Sequence, residues 1–130
     1  MTNFFLALLI TIIACGIGFA QNPSSQGVSD APSQGIAPKV ENGIGRADVR
    51  VFDESGNPVR NAFVKLESTR SDGFFCESWG GTNDRGVIAL PPIHMGTLHL
   101  KVKAKGFHSQ ALDLPAAQLG DPIRVTLKKK

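Results

Sequence analysis

Three histidines, His94, His99 and His108, are the residues of this chain best suited to metal or general-base chemistry. A zinc site needs clustered nitrogen, sulfur or carboxylate ligands. No His-Glu-x-x-His or comparable local spacing surrounds these three. They read as strand or loop histidines, and His99 and His108 can approach each other only if neighbouring strands carry them. A nucleophilic serine needs a positioned base. Ser78, just before Trp79, has no evident partner and no Gly-x-Ser-x-Gly context. Asp53, Glu54, Asn57, Asp72, Asn83 and Asp84 offer oxygen ligands of the kind calcium takes. They lack EF-hand spacing, and all suit turns. No catalytic, cofactor-binding or metal residues are therefore expected, and the chain is expected not to be an enzyme.

Two groups of residues point to binding instead. Phe74, Phe75 and Trp79 form an aromatic stretch beside Gly80 and Gly81, of the kind on which sugar rings stack. His99, Lys101, Lys103 and Lys105 recur at period two and would line one face of a strand, with Lys128 to Lys130 nearby. Such a basic face attracts anionic polymers in a salt-sensitive way; it also guards a strand against edge pairing. Aromatic packing into a core and a solvated lysine face are the plainer explanations of the two groups.

These residues must be positioned by strands. Alternating apolar and polar residues mark strands at 47–51, 62–67, 74–79, 87–90, 97–105, 108–114 and 123–127. Ala62, Val64 and Leu66 form the buried parity of one strand; Leu98, Leu100, Val102 and Ala104 form that of another. Turn residues separate them at 53–58, 71–73 and 83–86, and Pro91-Pro92 ends a strand. Residues 115–120 suit one helical turn. About seven short strands without a long helical pattern imply an all-β, antiparallel β-sandwich. The alternation argues against a parallel sheet buried on both faces.

The chain has 130 residues, 19% of them charged, with a formal net charge of +3 and no tyrosine. A surplus this small, without clustered stacking aromatics, excludes a nucleic-acid partner. Residues 1–20 read as a signal peptide: an apolar run over 4–13, then Gly18-Phe19-Ala20 with small residues at the −3 and −1 positions. Ile12-Ile13-Ala14-Cys15 also resembles a bacterial lipobox, which would place a lipid on Cys15. A membrane is implicated only by that lipid or by an uncleaved leader. Cleavage after Ala20 leaves Cys76 as the single cysteine, so no internal disulfide is expected. Residues 21–45, rich in Pro, Ser, Gln and Gly, read as a flexible linker, and residues 46–130 as the folded domain. The protein is expected to be exported: secreted, periplasmic or held in the cell envelope.

The folded part resembles a carboxypeptidase regulatory-like domain. The resemblance rests on Val49-Arg50-Val51-Phe52-Asp53, Gly56-Asn57-Pro58-Val59 and Ala62-Phe63-Val64-Lys65-Leu66. It continues through Thr82-Asn83-Asp84-Arg85-Gly86, Leu90 with Pro92, Gly96-Thr97-Leu98-His99-Leu100 and Lys103-Ala104-Lys105-Gly106-Phe107. It implies a prealbumin-like Greek-key sandwich and an accessory module with no catalytic residue. Related sandwiches include carbohydrate-binding modules. The expected function is a non-catalytic exported accessory, binding or structural module of the cell envelope, partnered by a glycan or an envelope protein. The alternative is a carbohydrate-binding module that uses the aromatics around Trp79.

Overall fold

A computed structural model describes residues 31–130. The expected leader, Cys15 and the first part of the expected linker lie outside the described residues. Among the described residues nine strands run in chain order: β1 (Ile44–Gly45), β2 (Asp48–Asp53), β3 (Phe63–Thr69), β4 (Phe75–Gly81), β5 (Val87–Ala89), β6 (Ile93–His94), β7 (Thr97–Lys103), β8 (Gln110–Leu114) and β9 (Ile123–Leu127). A 3-10 turn, Ala116–Gly120, joins the last two.

The strands form a four-stranded sheet ordered β4-β3-β7-β8, a three-stranded sheet ordered β5-β2-β9, and the short pair β1-β6. The four-stranded sheet is antiparallel throughout. Its inner face supplies Val64, Leu66, Leu98, Leu100 and Val102, each with no exposed surface. Val49 and Val51 of β2, with Val125 and Leu127 of β9, complete the same core from the other sheet. The all-β sandwich expected from the alternation is thus the observed fold, and the buried parities of β3 and β7 are those expected.

The differences have local causes. Nine strands replace about seven because β1 and β6 have two residues each, too few to carry a period. The first and last long strands, β2 and β9, pair in parallel, from Val49 opposite Ile123 to Asp53 opposite Leu127. The intervening chain is itself most of the sandwich, so no crossover helix is needed to join them. β2 is also buried on both faces. Val49 and Val51 point into the core, while Asp48 and Arg50 lie under the segment that precedes β1.

That segment begins inside the expected linker. The Ala31 and Pro32 carbonyls accept from Arg50 Nη2 at 2.6 and 3.3 Å, and Gln34 N–H donates to Asp48 Oδ2 at 2.9 Å. Ser33 Oγ donates to the Gly120 carbonyl at 2.9 Å, and Ile36 bridges Arg46. Residues 31–45 therefore lie against the sandwich. A buried ion pair, invisible in composition, holds them there.

Two glycines serve close approaches. Gly96 opens β7 so near β3 that a Cβ would stand 2.0 Å from the Thr69 carbonyl oxygen. Gly86 has φ +74 and closes the turn into β5, donating its N–H to the Asn83 carbonyl at 2.9 Å.

Candidate functional site

The outer face of the four-stranded sheet gathers most of the residues singled out for binding. Strand register sets its rows. Gly81, Phe63 and Lys103 stand side by side across β4, β3 and β7; Trp79, Lys65, Lys101 and Ala111 form the next row, ending on β8. Glu77, Glu67, His99 and Asp113 form the third, and Phe75, Thr69 and Thr97 the fourth. Trp79 is 56% exposed, Phe75 52% and Phe63 43%. Trp79 and Phe63 are diagonal neighbours, a separation that aromatic rings bridge. Gly81 contributes no side chain to crowd them.

Most charges on this face are paired. Lys65 Nζ lies 3.1 Å from Glu77 Oε2 and 3.3 Å from Glu67 Oε1. Lys101 Nζ reaches Glu67 Oε1 at 3.2 Å, and His99 Nδ1 bonds to Asp113 Oδ1. A continuous ladder thus runs from β4 to β7. The hydrogen bond from Lys101, followed by that from Lys65, holds the Glu67 carboxyl below its ordinary value of 4.5. Bonds to Glu77 and then Glu67 raise Lys65 above 10.5.

The signs set two pH windows. The depressed carboxyl of Glu67 contributes stability above 4.5, lost as pH falls through its lower folded value. The raised ammonium of Lys65 contributes below 10.5, lost as pH rises through its higher folded value. An NMR titration of Glu67 is expected to give a midpoint below 4.5, moving upward in Lys101→Met. A midpoint unmoved by that substitution would contradict the ladder.

Not every candidate belongs to this face. Phe74 precedes β4 in a turn, with the Arg70 guanidinium carbon 5.6 Å from its ring centroid. Lys105 lies in the turn beyond β7. The C-terminal lysines are drawn toward that same turn, with Lys130 N–H donating to the Gly106 carbonyl at 3.0 Å. The basic face expected from His99, Lys101 and Lys103 is largely neutralised. Glu67, Glu77 and Asp113 come from neighbouring strands, so pairing by register was hidden in the sequence.

Phe63, Lys65, Glu67, Glu77 and Asp113 were not singled out by sequence. Phe63 did carry a signal: it occupies the outward parity between Ala62 and Val64, where a large aromatic is out of place. Its proximity to Trp79 followed only from register.

The remaining candidates hold the fold. His94 Nδ1 lies 3.0 Å from the Asn42 carbonyl oxygen, to which it donates. His99 is engaged by Asp113 rather than His108. Ser78 is buried and donates to the Pro91 carbonyl at 2.8 Å. Asp53 Oδ1 accepts the N–H groups of Ser55 and Asn57, each at 2.9 Å; the Asn57 bond leads in lowering its pKa. Asn83 Oδ1 accepts from Arg85 and Val87 in the same manner. Cys76 is half-buried and unbonded to another cysteine. Among the described residues, no group of three His, Cys, Asp or Glu side chains is placed to hold a metal.

A cleft of ≈ 220 Å³ adjoins Trp79, lined also by Glu77, Ser78, Pro91 and Ile93. It extends the aromatic surface past the open edge of β4.

No family model matches the chain, and no curated protein matches it. Among solved structures it is similar to the crystal structure of 3-chlorocatechol 1,2-dioxygenase from Rhodococcus opacus 1CP, at 13% identity and a TM-score of 0.52. The match covers 65% of this chain and 59% of that one. At such identity the likeness is one of fold. It nonetheless corrects the expectation that the chain is not an enzyme, because a chain with this fold serves in a dioxygenase. Sandwich architecture therefore does not separate this protein from enzymes.

Proposed function

We propose that this chain is an exported binding module of the cell envelope that holds a glycan on the outer face of the β4-β3-β7-β8 sheet. The observation that carries this reading is the exposed pair Trp79 and Phe63, diagonal neighbours beside Gly81 on a face that also carries two rows of hydrogen-bonding side chains. An aromatic ring presents an apolar face to the C–H side of a sugar, while flanking polar groups meet its hydroxyls. Resemblance to regulatory-like and carbohydrate-binding sandwiches supports the same reading. So does the route of the chain. Ala31 and Pro32 lie over Arg50, on the outer face of the other sheet. The first described residues thus meet the domain on the side away from Trp79.

A glycan array tests the proposal. Trp79→Ala is expected to weaken binding by roughly 30-fold, the scale of a ~2 kcal/mol aromatic anchor, and Phe63→Ala by less. Both side chains are exposed, so unfolding transitions should stay close to wild type. Absence of binding by the wild-type chain across the array would count against the reading. Mass spectrometry of the mature N-terminus tests export, separating cleavage after Ala20 from processing before Cys15.

A further inference from the structure

We infer that the ligand of the β4-β3-β7-β8 face is an electrically neutral polysaccharide rather than an anionic one; this deepens the preceding reading and rests on it. The argument is the balance and order of charge around Trp79. Lys65, Lys101 and Lys103 share the face with Glu67, Glu77 and Asp113. Lys65 is held between two carboxylates, and Lys101 is held by one of them. An anionic group approaching Trp79 meets Glu77 two residues along the same strand and Glu67 one strand away. Beside Trp79 it gains attraction only by drawing Lys65 or Lys101 off those carboxylates.

A neutral hydroxyl faces no such cost. An ammonium has three donors, and a carboxylate has about four lone-pair positions. Lys65 uses two donors in the ladder and Lys101 one. The remaining donors and the free carboxylate lone pairs serve a hydroxyl in either role. The row of lysines, Lys65 and Lys101, lies against the row of carboxylates, Glu77 and Glu67, so donors and acceptors stand in adjacent rows beside the two rings. Gly81 and Ala111 keep the adjoining surface low. Lys103, in the row of Phe63, is the lysine of this face placed outside the ladder.

The experiment uses the full chain, with binding measured to neutral glucans and to uronate-containing or sulfated polymers. Salt is raised from ~0.1 M to ~1 M, which shortens the screening length from ~10 Å to ~3 Å. Binding to a neutral polymer is expected, with Kd moving less than ~2-fold over that range. Trp79→Ala should weaken it while retaining the wild-type Tm. Binding confined to anionic polymers, weakened at least ~10-fold by salt and reduced in Lys103→Gln, would overturn the inference while leaving glycan binding standing. Failure to bind either class would remove the glycan reading itself. Self-association abolished by Trp79→Ala would assign the face to a second copy of the chain and overturn both.

Discussion

Arg50→Met is expected to lower the unfolding free energy by about 3–5 kcal/mol, the cost of leaving one member of a buried ion pair without its partner. Arg50 and Asp48 are each 1% exposed, with Nη2 and Oδ2 3.1 Å apart and Nε and Oδ1 at 3.2 Å. The guanidinium also binds the carbonyls of Ala31 and Pro32. Methionine fills similar volume but returns none of these bonds. Asp48 would keep the Gln34 N–H as a neutral donor, while its buried charge lost its counterion. Adding Asp48→Leu should recover part of the loss, since an apolar pair avoids the desolvation that an ion pair must offset.

Urea unfolding measures the effect. Limited proteolysis reads its location, because residues 31–36 should become cleavable in Arg50→Met under conditions where the wild type resists. A loss below about 1 kcal/mol, the range of exposed pairs, with no change in proteolysis, would show that this pair does not hold the segment.

Leu66→Ala is expected to cost about 3–5 kcal/mol, combining lost burial with a cavity that the sheet cannot close. Leu66 has no exposed surface and stands at the centre of β3, opposite Ser78 on one side and Leu100 on the other. Both neighbouring strands are held over the full length of β3, so little collapse is available. Leu112→Ala provides the internal comparison. It shares a row with Leu100 but sits on the edge strand β8 and is half-buried. Its loss should be smaller, about 1–3 kcal/mol. Equal effects at the two positions, compared by denaturant midpoints with unchanged slopes, would contradict this placement of the core.

The candidate face was legible in parts. Lys101 and Lys103 were recognisable as outward residues because Leu98, Leu100 and Val102 claim the opposite parity. Trp79 was recognisable as a possible stacking residue from its aromatic neighbours and the glycines after it. The charge of the face was misread as basic for a physical reason. Lysines at period two report one strand, while Glu67 and Glu77, which neutralise Lys65 and Lys101, belong to β3 and β4. Phe74 and Lys105 illustrate the same limit from the other side. Phe74 lies one residue before β4 and Lys105 two residues beyond β7, so each continues a strand pattern but falls in the adjoining turn.

The alternation of residue types by itself determined which side chains of β3 and β7 enter the core. Successive side chains point to opposite faces whatever partners a strand acquires, so Val64, Leu66, Leu98, Leu100 and Val102 were inward in any antiparallel sandwich. Turn composition likewise placed the breaks around Asp53, Asp72 and Asn83. Tertiary structure alone decided which strands became neighbours, and in what register. It set Phe63 beside Trp79, cancelled the lysines with carboxylates, paired β2 with β9 in parallel, and laid residues 31–34 over Arg50. These are contacts between segments far apart in the chain, and their energies depend on the geometry of closure rather than on any local pattern.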